Sequence, residues 1–145
     1  MIKMIKLISI LFTVLNLMNS VLAENTFFDE GKIKYDNKKY EESKFLFQRS
    51  IVFNPKDQNS YLYLAKIYNY EDNKDEEEKN INTVLLLEPK NEEAMYMLMK
   101  IELKKSNYAK VRELVENFSK ICKNLCKKKN LVIESLVNLE PKNES

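Results

Sequence analysis

The stretch GKIKYDNKKYEESKFLFQRSIVFNP, residues Gly31–Pro55, decides the fold of this chain. Its second half repeats aromatic, aliphatic or small residues at steps of three and four, which places them along one face of a helix. These residues are Tyr40, Ser43, Phe47, Ser50 and Ile51. Because serine is small, a neighbouring helix can approach closely at two of these positions. The pair Asn54-Pro55 predicts the end of the helix, since the residue before a proline is excluded from the helical region.

The proline at the end of this stretch belongs to a phrase that occurs three times. It reads NPKDQ at Asn54–Gln58 and LEPKNE at both Leu87–Glu92 and Leu139–Glu144. Pro55 and Pro89 are 34 residues apart, whereas the next interval is 52 residues. A fixed period of this length predicts a repeat protein. Alignment on the first two prolines gives three windows, which are residues 24–57, 58–91 and 92–125.

The three windows carry related residues at matching positions. The matching sets are Phe27, Tyr61 and Met95; Gly31, Ala65 and Met99; Tyr40, Lys74 and Tyr108; Ser43, Glu77 and Val111; Phe47, Ile81 and Val115; and Ser50, Val84 and Phe118. This pattern resembles the tetratricopeptide repeat (TPR), a helical hairpin, from Glu24 to about Lys123. The resemblance implies an all-α fold, a right-handed α-solenoid of about three helix-turn-helix repeats. Lys74 and Glu77 depart from the aromatic and the small residue of the family pattern, so we expect looser packing in the second hairpin.

The longer second interval predicts an additional element after the third window. The helical period of that window continues to Ile121, which suggests a helix that runs beyond the expected stop. The charged stretch CKKKN, Cys126–Asn130, then interrupts the period, and the apolar residues up to Leu139 restart it. We therefore expect a seventh helix at about Asn130–Leu139, within a C-terminal capping segment that covers residues 126–145. The end of a solenoid needs an atypical unit of this kind, with a more polar outer face.

The first 23 residues predict a secretory signal peptide. Met1–Lys6 carries two lysines and no acid, Leu7–Met18 is almost wholly apolar, and Asn19–Ala23 ends in a small residue. We expect cleavage after Ala23, with export to the periplasm if the source is a Gram-negative bacterium and secretion otherwise. The apolar stretch is short for a bilayer, which needs about 20 residues, so we expect no membrane span after cleavage. An uncleaved membrane anchor is the alternative.

The composition argues against several functional classes. Lysine and arginine number 24 and the acids 22, and removal of Met1–Ala23 takes away two lysines and no acid, which leaves 22 of each. This balance argues against nucleic-acid binding, which would need a basic surface. The chain has no histidine and one glycine, so it lacks the usual general base and a Gly-rich phosphate loop. We expect no enzyme activity, no catalytic residue and no cofactor.

Cys122 and Cys126 are the two cysteines of the chain and lie at the junction between the third window and the capping segment. Exported proteins usually pair their cysteines, and residues four apart in a helix have Cα atoms about 6 Å apart, within the bridging range. We therefore predict a disulfide that fixes the geometry of a turn. A metal site would need more ligands, and the spacing differs from the Cys-x-x-Cys redox motif. We expect no metal, and a thiol redox or metal-handling role is a weaker alternative.

The TPR resemblance also implies a binding surface, because the first helix of each hairpin in that family lines a concave groove for peptides or a partner helix. The residues at the groove positions are Phe28, Lys32 and Tyr35; Leu62, Lys66 and Asn69; and Tyr96, Lys100 and Leu103. Lys32, Lys66 and Lys100 recur at the repeat spacing and would form a lysine ladder for an acidic, partly apolar segment. The alternative is that lysine is common in this chain and that its aliphatic stem covers apolar groove walls.

The carboxylate-clamp subtype of the family, which holds acidic C-termini of chaperones, is not indicated. Its groove positions carry Phe28, Tyr63, Glu93 and Met97 instead of the expected lysine, asparagine and arginine. The sequence therefore predicts an exported TPR-type adaptor or assembly scaffold that binds another protein or peptide. The alternative is a structural subunit of an envelope complex, in which the chain's own tail fills the groove.

Overall fold

The computed structural model describes residues 26–139, and across them the chain is all-helical, as the sequence predicts. The helices are α1 (residues 26–36), α2 (Tyr40–Phe53), α3 (Gln58–Tyr70), α4 (Lys74–Leu87), α5 (Glu92–Lys104), α6 (Tyr108–Ile121) and α7 (Cys126–Leu139). No strand occurs within this range, and none of its helices is long and apolar enough to span a bilayer. The predicted signal peptide, Met1–Ala23, lies outside the described residues.

The first helix of each hairpin is followed by a left-handed residue at the same repeat position. Lys38, Asp72 and Ser106 have φ angles of 60°, 54° and 57°, and they are 34 residues apart. In the third hairpin the N–H group of Asn107 then donates to the carbonyl oxygen of Glu102 at 2.9 Å. A left-handed residue at the C-terminus of a helix reverses the chain direction. It costs about 1–2 kcal/mol in a residue that carries a Cβ atom.

The second helix of each hairpin ends where the backbone becomes extended. Asn54 and Glu88, which precede Pro55 and Pro89, have ψ angles of 89° and 85°. This agrees with the restriction that proline places on the residue before it. Cys122 takes the same position in the third hairpin without a proline, and its ψ angle is 139°. The helices α2, α4 and α6 consequently have the same length, 14 residues.

Two predicted boundaries in the last part of the chain are wrong. Helix α6 ends at Ile121, in register with the ends of α2 and α4, so it does not run beyond the expected stop. Helix α7 begins at Cys126 and not near Asn130, so the charged stretch CKKKN is helical. Lysine is a good helix former, and the break between the helices lies in residues 122–125 instead. The long second interval is therefore explained by a complete seventh helix.

The chain divides inside α3 into two compact units, and the first contains α1, α2 and the start of α3. Phe47 is fully buried in this unit. Its ring stacks on that of Tyr63, with centroids 5.0 Å apart, and lies 5.7 Å from that of Phe28. The fully buried hydroxyl of Ser43 donates to the carbonyl oxygen of Gly31 at 2.8 Å. The small residues therefore bring α1 and α2 close together, as the sequence predicts.

The second unit contains the rest of α3 together with α4 to α7. Helix α5 packs against α4, α6 and α7, and α6 also packs against α7. Fully buried side chains include Ile81, Val84, Met99, Val111 and Phe118. Glu77 is 4% exposed and accepts a hydrogen bond of 2.9 Å from the side-chain amide of Asn69. The polar residue at a small-residue position is therefore satisfied. A small cavity of about 80 Å³ is lined by Lys74 and Glu77, so looser packing in the second hairpin stays a prediction.

Replacement of Gly31 with alanine tests the close approach of α1 and α2. A Cβ atom at this position would lie 2.9 Å from Phe47 Cε1 and 3.3 Å from Leu46 Cβ. Overpacking costs about 1–3 kcal/mol, and the gain in helix propensity is about 1 kcal/mol. We expect urea titrations to show a free energy of unfolding lower by about 1 kcal/mol. In a Phe47→Leu background the same change should cost less, and an equal cost in both backgrounds would contradict the steric explanation.

Replacement of Ser106 with glycine tests the strain of the left-handed turn. Glycine adopts positive φ angles without a steric penalty. We expect Ser106→Gly to raise the free energy of unfolding by about 1 kcal/mol, as measured in urea. The matched control is Ser119→Gly within α6, which should lower the free energy of unfolding by about 0.5 kcal/mol. A loss of stability at both positions would show that the turn is not strained.

Candidate binding surface

The predicted binding residues of the first unit that lie on α1 take part in its internal packing. Phe28 and Tyr35 are half-buried, and their ring centroids lie 5.9 Å and 5.0 Å from that of Tyr63. Lys32 is exposed and forms an ion pair with Asp36 at 2.9 Å. The hydrogen bond to Asp36 raises the pKa of the Lys32 ammonium group. The surface of α1 therefore presents partly covered aromatic rings and a lysine whose charge is balanced on its own helix.

The predicted binding residues of α3 also have structural contacts. Leu62 is 7% exposed and belongs to the core, so little of its side chain is available to a partner. Lys66 forms an ion pair with Glu93 of α5 at 3.0 Å. Asn69 holds the buried carboxylate of Glu77, which lies on α4. These contacts connect α3 to the helices that follow it, whatever further role the residues have in binding.

The predicted binding residues of α5 line an open cleft in the second unit, which we call the cap cleft. Its lining includes Tyr96, Lys100 and Leu103 from α5 and Leu131, Ser135 and Leu139 from α7. The cleft has a volume of about 260 Å³. The Nζ atoms of Lys100 and Lys128 lie 5.9 Å and 5.5 Å from the centroid of the Tyr96 ring. Both distances fall within the range of cation–π contacts.

Glu92, the first residue of α5, holds the loop that leads into α7. Its carboxylate accepts hydrogen bonds from the backbone N–H groups of Lys123 at 2.8 Å, Asn124 at 3.1 Å and Leu125 at 2.7 Å. The bond from Leu125 is the largest cause of the lowered pKa of the Glu92 carboxyl group. Each of these bonds favours the charged form of the carboxylate. The loop is therefore fixed to α5 by one anionic side chain.

The equivalent loops earlier in the chain use a side chain of their own. Asp57 and Asn91 accept hydrogen bonds from backbone N–H groups of the helices that follow them, at 3.3 Å and 2.9 Å. Leu125 stands at the equivalent position and has no side-chain acceptor. Glu92 supplies an acceptor from another helix instead. This role of Glu92 was not predicted from the sequence, although leucine in place of Asp or Asn at residue 125 indicated that another hydrogen-bond acceptor is needed there.

Helix α7 is held along one face and at its other end. Val132 and Leu136 are buried on the face that packs against α5 and α6. The hydroxyl group of Tyr108 donates to the carbonyl oxygen of Leu139 at 2.9 Å. Together with the bonds to Glu92, these contacts fix the α7 wall of the cap cleft.

Cys122 and Cys126 enclose the loop that Glu92 binds. Their sulfur atoms lie 2.20 Å apart and their Cα atoms 5.3 Å apart. This disulfide-like arrangement agrees with the predicted pairing, while the export of the protein and the bond itself stay predictions. Between residues 26 and 139, no group of three or more His, Cys, Asp or Glu side chains comes together as a set of metal ligands.

The structure is similar to solved TPR domains at low sequence identity. The TPR domain of Arabidopsis OM64 superposes with a TM-score of 0.72 at 13% identity, covering 82% of this chain and 98% of that chain. The TPR2B domain of yeast Sti1, solved as a pHsp70 complex, has a TM-score of 0.74 at 12% identity, covering 82% of this chain and 99% of that chain.

A bacterial protein shows the same likeness. The Yersinia enterocolitica type III secretion chaperone SycD, in complex with a peptide of the translocator YopD, has a TM-score of 0.68 at 15% identity, covering 79% of this chain and 90% of that chain. No family model matches the sequence, and no curated protein matches it. The structural likeness confirms the predicted fold class, an all-α solenoid of TPR-type helical repeats.

Replacement of Glu92 with glutamine tests the anchor of α7. The lowered pKa of Glu92 means that its charged form stabilises the folded state above the ordinary pKa of 4.5, and that this contribution disappears as the pH falls through the lowered pKa. We expect Glu92→Gln to be less stable than the wild type in urea at pH 7. The difference should shrink steadily as the pH is lowered.

The matched control for this change is Glu134→Gln, on the exposed side of α7. It should leave the free energy of unfolding almost unchanged at every pH. A Glu92→Gln effect that is independent of pH would show that the carboxylate charge does not hold the loop.

Proposed function

We propose that this chain is a non-enzymatic protein-binding module that acts as an adaptor or assembly scaffold. The observation that carries the proposal is the TPR-type fold, which the chain shares with domains solved together with peptides. Half-exposed aromatic and apolar side chains beside lysines on the first helices of the hairpins support it further. Surfaces of this composition suit extended segments of other proteins.

The proposed place of action is outside the cytoplasm. Met1–Ala23 has a positively charged N-terminal region, a short apolar stretch and a small residue at the expected cleavage site, which together support export. The periplasm would be the destination in a Gram-negative bacterium. The disulfide-like arrangement of Cys122 and Cys126 supports an oxidising compartment. In this setting the module would bring together proteins of the cell envelope.

The proposed mode of binding differs from capture of a chaperone C-terminus. The structural relatives include domains solved with Hsp70 and Hsp90 peptides, yet Glu93 stands at one of the clamp positions here. Its carboxylate pairs with Lys66 at 3.0 Å. An acidic group at this position would repel the terminal carboxylate of a peptide, so we propose an internal segment of the partner as the ligand.

The second candidate function is that of a structural subunit with a filled surface. Two observations favour it: Leu62 is buried, and Phe28 packs against the rings of Phe47 and Tyr63. In that case the first unit would contribute helical surface to a complex and would not hold an exchangeable peptide. Capture of partners by the isolated protein separates the two candidates.

Reversal of charge at Lys32, Lys66 and Lys100 tests the proposed binding face. We expect the triple change to Glu to weaken capture of partner proteins from an envelope extract and to reduce the salt sensitivity of what remains, because exposed charges act over about 10 Å and are screened by salt. Capture is measured by quantitative mass spectrometry after a pull-down with the purified protein. Circular dichroism checks that the variant keeps its helices.

The matched control reverses charge at Lys79, Lys110 and Lys120, which lie on the second helices of their hairpins and pair with acids of the same helix. It has the same net charge and should capture the same partners as the wild type. Equal loss in both variants, or no loss in either, would remove the lysine ladder from the proposed surface. A wild-type protein that captures nothing specific would favour the structural subunit.

A further inference from the structure

The cap cleft has the size of a site for one or two side chains. Sites for small molecules and cofactors usually have volumes of roughly 300–1,000 Å³, and the cap cleft has about 260 Å³. The α5 wall runs from Tyr96 to Lys104, which corresponds to about 12 Å of helix. A segment of about four extended residues spans that length. The dimensions therefore suit a short piece of polypeptide better than a free metabolite.

The lining of the cap cleft combines an apolar floor with positive charge. Leu103, Leu131 and Leu139 provide aliphatic surface, and Leu131 is 52% exposed although it lies on a helix that is fixed at both ends. Half-exposed leucines along a concave surface gain free energy when an apolar side chain covers them. The floor therefore favours an aliphatic or aromatic side chain as an anchor.

Lys100, Lys104 and Lys128 lie around this apolar floor. Their ionic contacts differ from those of Lys32 and Lys66, the other two lysines of the ladder. Lys32 and Lys66 form ion pairs with Asp36 and Glu93. Lys100 and Lys104 line the cleft and Lys128 lies over the Tyr96 ring, and no ion pair is found for any of the three within residues 26–139. The lining contains no acidic side chain. The charge of the cleft is therefore available to an anionic group of a ligand.

The walls of the cap cleft are in place before a ligand arrives. Glu92 fixes the loop at the start of α7, and Tyr108 fixes its last described turn. A binding site that is already ordered avoids the entropy cost of ordering its own side chains and loops on binding. The cleft is consequently a preformed site.

We propose that the cap cleft binds a short internal segment of a partner protein that presents one aliphatic or aromatic anchor next to one or more carboxylates. The anchor lies on the leucine floor, and the carboxylates lie beside Lys100, Lys104 and Lys128. This inference rests on the proposed protein-binding function and narrows it to one place and one ligand chemistry. The three lysines of the ladder then have different roles: Lys100 contacts the ligand, while Lys32 and Lys66 remain in their internal ion pairs.

A synthetic probe tests the chemistry of the ligand directly. The probe is a fluorescein-labelled peptide with blocked termini, seven residues long, in which a central leucine is flanked by glutamates. Fluorescence anisotropy with the full exported chain should give saturable binding that weakens as salt is added. The same peptide with glutamine in place of glutamate, and the same peptide with serine in place of leucine, should each bind at least about fivefold more weakly.

Variants locate the probe on the protein. Lys100→Glu should weaken binding of the glutamate probe at least about fivefold, whereas Lys120→Glu on α6 should not change it. Leu131→Ser should weaken binding several-fold, whereas Ile133→Ser, another partly exposed apolar residue of α7, should not. Circular dichroism and urea unfolding identify any variant that loses its fold. Equal effects of Lys100→Glu and Lys120→Glu, or of Leu131→Ser and Ile133→Ser, would overturn the assignment to the cap cleft.

Removal of residues 140–145 tests the chain's own tail as the occupant. We expect the shortened protein to bind the probe with the same affinity as the full exported chain. Binding that appears only after this removal would show that the tail occupies the cleft, and it would overturn the proposal of a partner segment. A wild-type protein that binds no probe yet captures envelope proteins would overturn this inference and leave the proposed function intact.

Discussion

Each of the helices α1 to α6 is followed by a backbone conformation that an α-helix cannot contain. Within a hairpin it is a left-handed residue, such as Ser106, and between hairpins it is an extended residue, such as Asn54. The two conformations alternate, and each recurs at intervals of 34 residues, so α2, α4 and α6 begin and end at equivalent repeat positions. The buried pairs, including Phe47 against α1, depend on this spacing. A change in the length of a turn would rotate an apolar face towards water.

The third hairpin shows that the backbone conformation matters more than the residue that usually produces it. Pro55 and Pro89 force the residue before them to be extended. Cys122 is extended without a following proline, and the loop after it is held by the carboxylate of Glu92. A tertiary contact thus replaces a local constraint at the place where the chain turns into its capping helix. The same contact fixes one wall of the cap cleft.

The lysines that recur along the first helices of the hairpins occupy equivalent repeat positions but have different neighbouring residues. Lys32 and Lys66 form ion pairs with neighbouring carboxylates, whereas Lys100 lies beside Tyr96 at the edge of an apolar cleft. Repeat spacing brings residues to the same place on each hairpin, but the acids beside them differ from one repeat to the next. Binding energy is therefore expected to concentrate in the last hairpin and its cap.

The sequence by itself determined the all-helical fold, the end of α2 before Pro55 and the small-residue contact of α1 with α2, because these follow from local backbone restriction and from a regular apolar period. The start of α7 was predicted too late in the sequence, because the run of lysines was taken as the end of the helical pattern although lysine is a good helix former. Only the tertiary structure decided the role of Glu92, the satisfied burial of Glu77 and the cleft beside Tyr96. Each of these depends on groups from different helices meeting in space, and a period along one chain carries no information about which polar neighbours meet there.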